Sequence, residues 1–173
     1  MPTTKETLLP NLDANTDALI ECILTFDPAL FDQQPSDGSW SAAQLTEHIY
    51  VLDRLIFNIL TGETEASHRP ADEKLATIEA VLNNRSRILK APDPIVPLGK
   101  VKDQQILITK IITARKDIHK LIQTADLSSI CLGFIHKGFG PMTRLEWIVF
   151  LMGHSERHFH QYQRIANTLH KNS

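Results

Sequence analysis

His154 and His158 stand four residues apart near the C-terminal end of a 173-residue chain. On an α-helix that interval puts two imidazoles on neighbouring turns of one face, so that one helix can supply two nitrogen ligands to one ion. A third histidine, His48, falls on a helical stripe with Leu45, Leu52 and Leu55. Trp147, Leu151, Gln161 and Ile165 share the face of His154 and His158, so the three imidazoles are expected to enter one interior from two helices. An imidazole among apolar side chains needs partners for its nitrogens, and each buried polar group without one costs about 1–3 kcal/mol. Few Asp, Glu or Ser residues fall on these inward stripes. One divalent cation would satisfy three nitrogens together and leave the opposite ring nitrogens to donate to backbone or solvent. For any one of the three, a hydrogen-bonded core histidine is the plainer alternative.

The remaining histidines read differently. His160 is well off the face of His154, His119 and His170 lie on polar faces, and His68 falls in a polar connection. His136 sits in a glycine-rich stretch before the last helix, placed either to border a pocket or to make a structural hydrogen bond. Glu47 and Glu156 adjoin the histidines in sequence but are rotated off their face, so no general base is evident. Gln161 shares the face and is suited to orienting a water, but it cannot take a proton.

Helical periodicity supplies the elements that must position these side chains. Leu8, Leu12, Leu19, Cys22, Ile23 and Phe26 recur at spacings of three and four and predict a first helix ending before Pro28, its stripe interrupted at Asn15. Ser41 and Gln44 read as a capping box opening the helix of His48, which Gly62 closes. A sparser segment from about Asp72 to Leu89, with apolar Leu75, Ile78, Val81, Leu82 and Ile88, reads as a peripheral helix or short turns. Pro92, Pro94 and Pro97 separate it from a clear amphipathic helix over Asp103 to Gln123, whose stripe is Leu107, Ile111, Ala114, Ile118, Leu121 and Ile122. Gly133, Gly138, Gly140 and Pro141 mark a loop or irregular hairpin. Thr143 and Glu146 then cap a last helix running to about Leu169. The pattern predicts an all-α, single-domain four-helix bundle over residues 1–173, with a peripheral helical segment and a Gly-rich loop before the last helix.

Composition excludes several classes. Apolar residues make up 42% and charged residues 22%, ordinary for a globular protein, and the net charge is −2 with no basic stripe. Nucleic acid and polybasic membrane contacts are therefore not expected. No apolar run has the length of a signal peptide core or a membrane span. Cys22 and Cys131, without a paired spacing, read as free thiols in the cytoplasm.

Trp40-Ser41, six residues and then His48 resembles the opening motif of the DinB/YfiT-like metal-dependent hydrolases. The run Ile135-His136-Lys137-Gly138-Phe139-Gly140-Pro141-Met142-Thr143, followed by Glu146-Trp147 and by His154 and His158, resembles their closing motif. The resemblance implies an up-down-down-up bundle with a three-histidine site for one zinc or nickel ion, its ligands falling on His48, His154 and His158. The chain departs from the family pattern in three places. Gln44 stands for a frequent carboxylate, Lys137 for a proline and Arg157 for a histidine, and the two cations are expected to make the site mouth more positive. Gln161, His136 and Arg157 are thus candidate pocket residues.

Three neutral nitrogen ligands leave a coordination position open, as a catalytic ion requires. Metal-dependent hydrolysis of a small-molecule substrate is the first expectation. Metal-dependent transfer of a low-molecular-weight thiol, which needs neither Cys22 nor Cys131, is the second. A non-catalytic bundle with structural histidines or a structural metal is the third. Association into a homodimer is compatible with such a bundle.

Overall fold

Each long helix forms where apolar residues recur at helical spacing, and Ser41, Asp103 and Thr143 each cap the exposed amides of one of them. A computed structural model describes residues 4–84, 86 and 91–170. The helices are α1 (Lys5–Leu24), α2 (Ala42–Thr61), α3 (Leu75–Asn83), α4 (Gln104–Thr124) and α5 (Arg144–His170). A 3-10 turn spans Asp93–Ile95, and two short strands, β1 (Thr64–Glu65) and β2 (Ile130–Cys131), pair antiparallel with Thr64 opposite Cys131.

Both capping boxes expected from the sequence are made. Gln44 N donates to Ser41 Oγ at 3.1 Å and Ser41 N to Gln44 Oε1 at 3.0 Å. Glu146 N donates to Thr143 Oγ1 at 3.2 Å and Thr143 N to Glu146 Oε2 at 2.9 Å. Glu146 does more than cap. Arg69 reaches its two carboxylate oxygens at 2.7 Å each, and Lys74 N donates to it at 2.9 Å. This fully buried carboxylate thereby ties the polar stretch after α2 to the base of α5. Burial alone would raise its pKa, but Arg69 and the backbone amides of Thr143 and Lys74 hold it below the ordinary carboxylate value.

The core sorts into two apolar clusters that fix the helix directions. Leu8 and Leu12 of α1 meet Ile56 and Leu60 of α2, Ile118 and Ile122 of α4, and Ile148 and Leu151 of α5. Leu19 and Ile23 meet Leu45 and Ile49, Leu107 and Ile111, and Tyr162 and Ile165. The N-terminal halves of α1 and α5 therefore lie beside the C-terminal halves of α2 and α4, an up-down-down-up bundle. The parallel pair α2 and α4 requires a long crossover, and residues 62–103 supply it with α3 inside.

Two expectations are refined. Asn15 does not interrupt the α1 stripe; it is buried on the same face as Leu8, Leu12, Leu19 and Ile23. The peripheral segment is helical over Leu75–Asn83, while the expected apolar position Ile88 and the expected end at Leu89 lie outside the described residues. The glycine-rich stretch forms an irregular hairpin, with His136 bridged to Gly140 and β2 paired to β1. Gly140 takes φ +67°, a conformation that favours glycine. No helix among the described residues is long and apolar enough to cross a membrane.

Candidate metal centre

His48 lies early on α2, and His154 and His158 lie at mid-length of α5, so the antiparallel crossing of these helices brings the three rings together. His48 Nε2 is 3.3 Å from His154 Nε2, and His158 Nε2 is 3.2 Å from the same atom. The structure thus joins the three histidines chosen from spacing, and one ligand atom from each lies within 4.8 Å of the others. His48 is buried; His154 and His158 keep some exposed surface, although protein crowds most of each ring.

The outer nitrogens explain why the inner ones are available. His48 Nδ1 is 2.7 Å from the Ile95 carbonyl, which only accepts, so Nδ1 carries the proton and Nε2 presents a lone pair. His158 Nδ1 donates in the same way to Gln161 Oε1 at 2.9 Å. His154 Nδ1 is buried without a hydrogen-bond partner. The three converging nitrogens can therefore share one proton at most, on His154 Nε2. Zinc–nitrogen bonds of about 2.0–2.1 Å in tetrahedral array set neighbouring nitrogens about 3.3 Å apart. The 3.2 and 3.3 Å separations from His154 match that spacing, and the third pair lies within 4.8 Å.

Burial also keeps the rings neutral, the form that binds metals. It lowers the pKa of His48 against the opposing pull of the Ile95 carbonyl. It drives His154 well below the ordinary histidine value, helped by His158 and His48, and pushes His158 down to about 4.

The crossover holds one side of the centre. Glu47 Oε2 accepts from Gly99 N at 2.6 Å while the next residue, His48, holds the Ile95 carbonyl, so adjacent positions of α2 pin the same loop. Gly99 has φ +65°, which a residue with a Cβ rarely adopts. The Trp40 ring packs 5.1 Å from His48, and Phe150 stacks 6.1 Å from His154. The end of α3 leans on α5 just beside the ligand pair. A Cβ on Gly153 would stand 2.8 Å from Leu82 Cδ1, so glycine spares the end of the leucine side chain a shift.

The other candidate residues divide. Gln161 holds the outer nitrogen of His158. Arg157 donates to the carbonyls of Leu82 and Asn84 at 2.9 and 2.8 Å, capping α3. His136 accepts at Nδ1 from the amides of Gly138 and Phe139, and its ring packs against Phe139, Trp147 and Phe150. Phe150 stands between His136 and His154, contacting both rings. His68 and His160 are exposed, and His119 faces Asp13 at 3.6 Å. The reading of the His170 side chain lies outside the described residues. Glu156 is engaged by Asn15 at 3.1 Å and Glu47 by Gly99, and neither adjoining carboxylate belongs to the three-histidine group. A groove of about 500 Å³ between α1 and α4, beside Asp13, Asp17, Lys116 and His119, includes none of the three histidines.

The family model of the DinB superfamily matches residues 11–162, most of the chain and all three histidines. The chain belongs to the DinB superfamily. This DinB-superfamily protein is also similar in fold to two solved structures. The crystal structure of TT2238, a four-helix bundle protein, is 17% identical and superposes with a TM-score of 0.58, covering 93% of this chain and 99% of that one. An uncharacterised protein from Escherichia coli UTI89 is 15% identical with a TM-score of 0.53, covering 99% of this chain and 96% of that one. No protein of curated function matches the DinB-superfamily chain.

Two features of the site carry no pattern in the sequence, a main-chain atom and the mutual contact of four buried polar residues. The Ile95 carbonyl that orients His48 lies in the proline-rich crossover, where no residue type announces it. Asn15, Asp53, Arg115 and Ser155 are buried at the same level of the bundle.

Proposed function

We propose that this DinB-superfamily protein holds one divalent metal ion on His48, His154 and His158 and uses it in metal-dependent hydrolysis of a small molecule. The observation that carries the reading is the convergence of three Nε2 atoms, two of them with their Nδ1 protons already given to Ile95 and Gln161. A zinc or nickel ion bound there supplies Lewis-acid chemistry, polarising a substrate oxygen and lowering the pKa of coordinated water toward about 7. The chain orients His48 through the Ile95 carbonyl, orients His158 through Gln161 and backs His154 with the Phe150 ring. No carboxylate joins the three-histidine group among the described residues.

That absence favours a second reading, metal-dependent thiol transfer, in which a soft thiolate of the substrate needs no protein base. Cys131 does not supply the thiolate, since burial raises its pKa to about 11. In either reading the protein works in the cytoplasm, where its two thiols stay free.

Elemental analysis of tag-free protein beside the His48→Ala, His154→Ala and His158→Ala variants tests the proposal. The expected result is about one zinc or nickel ion per chain in the wild type and none in the three variants, with exposed His160→Ala unchanged. A wild type that takes up neither metal after incubation overturns it. Turnover of ester, amide or thiol-acceptor substrates by the loaded protein then separates hydrolysis from thiol transfer.

A further inference from the structure

Arg115 lies at the middle of α4 and points into the bundle, where its guanidinium reaches a side chain on each of the other long helices. Nε donates to Asp53 Oδ2 on α2 at 2.9 Å, Nη1 to Asn15 Oδ1 on α1 at 2.6 Å and Nη2 to Ser155 Oγ on α5 at 2.5 Å. Asn15 extends the grip on α5, donating its amide to the Met152 carbonyl at 3.2 Å and to Glu156 Oε1 at 3.1 Å. Arg115, Asp53, Asn15 and Ser155 are all buried. Together they form a polar layer between the two apolar clusters of the core.

The α5 residues held by this layer bracket a metal-ligand candidate. Met152 and Ser155 flank His154 in sequence, and Glu156 lies between His154 and His158. At 1.5 Å of rise per residue the layer and the histidines share one level of the bundle. Apolar ridges repeat along a helix, so sliding by a turn exchanges one good contact for another. A layer of directional bonds is satisfied at one register only, the best-attested use of buried polar groups. His154 and His158 keep their mutual spacing wherever α5 sits, because they share that helix. His48 meets them only if α5 stands at one height and rotation against α2.

We propose that the Arg115 layer sets α5 against α2 so that His154 and His158 meet His48. This rests on the metal reading of the histidines. Arg115, Asp53, Asn15 and Ser155 act through the ligands and are positioning residues.

The test replaces the layer with apolar side chains: Asn15→Leu, Asp53→Leu, Arg115→Met and Ser155→Ala in one protein. Well-packed apolar replacements of buried ion pairs often keep or raise stability. The variant is expected to melt cooperatively at or above the wild-type temperature, yet to bind zinc about 10–100-fold more weakly in chelator competition. Its metal-free crystal structure is expected to show the His48–His154 Nε2 separation widened from 3.3 Å while the His154–His158 separation stays near 3.2 Å. Ser155→Ala alone is expected to shift both readouts the same way by less, and it carries the test if the fourfold variant does not fold. Ile122→Val, in the lower apolar cluster, is the control that lowers stability and leaves zinc affinity unchanged. Wild-type zinc affinity together with unchanged separations in the layer variants overturns the proposal. A wild type that binds no metal sinks the metal reading alone, and the separations then decide the positioning role by themselves.

Discussion

Two buried polar clusters occupy the same level of this bundle, and they differ in how their groups are matched. In the Arg115 layer unlike groups meet: guanidinium donors face a carboxylate, an amide oxygen and a hydroxyl. In the histidine centre like groups meet, because fixing the Nδ1 protons of His48 and His158 outward turns lone pairs inward. A cluster that closes on its own donors and acceptors needs nothing further. A cluster that gathers acceptors around a point calls for a cation there, and this contrast, rather than the mere presence of histidine, separates a site from a structural network.

The largest expected effect would break the contrast outright. His154→Ala removes the nitrogen that lies within 3.3 Å of both partners, so metal content should fall from about one ion per chain to none. Elemental analysis after gel filtration reads this directly. Retention of a full equivalent by the variant would mean that the three acceptors are not a ligand set.

Stability of the metal-free protein should rank the two clusters the other way. Arg115→Ala leaves Asp53 buried without its cation, a change expected to cost about 3–5 kcal/mol in urea denaturation. His154→Ala takes away a ring whose Nδ1 has no partner, and its cost should be less than half of that. Equal losses would show that the histidine centre is also a closed network when empty.

The Arg69–Glu146 pair offers a second closed cluster away from the histidines. Because the folded pKa of Glu146 is lowered, its contribution is present above the unfolded carboxylate value and is lost as pH falls through the folded value. Glu146→Gln should cost about 1.5–3 kcal/mol near pH 7. The gap from wild type should close on acidification, as denaturation curves at stepped pH will show. A pH-independent gap would assign the cost to lost packing instead of charge.

The histidine centre was legible in the sequence because its signal is local: a repeated residue type at helical spacing on one stripe, and one more on another. The resemblance of the Trp40-to-His48 and Ile135-to-Glu146 segments implied the family, which the match over residues 11–162 bears out, and the helix order, which the two apolar clusters show. The Arg115 layer was not read, although its members were visible. Arg115 falls between Ile111 and Ile118 on the α4 stripe, and Asn15 between Leu12 and Leu19 on α1. A single polar residue in an apolar stripe has several meanings, and only the crossing of four helices shows that these ones face each other. The Ile95 carbonyl is further from view, since every residue carries a carbonyl and only the path of the loop aims this one at His48.

The smallest effect concerns α3, which packs against α5 beside His154 and His158 and supplies no member of the three-histidine group. Gly153→Ala should raise the helix propensity of α5 by about 1 kcal/mol. The new Cβ, 2.8 Å from Leu82 Cδ1, should return a similar amount as strain unless the leucine turns aside. A melting temperature within about 4 °C of wild type follows from that near cancellation. Zinc affinity should stay within about twofold if the ligands are set by α2, α5 and the Arg115 layer alone. A tenfold loss at unchanged melting temperature would instead make the α3 contact, through Leu82 and the Arg157 bonds to its C-terminal carbonyls, a second device that holds α5 in register.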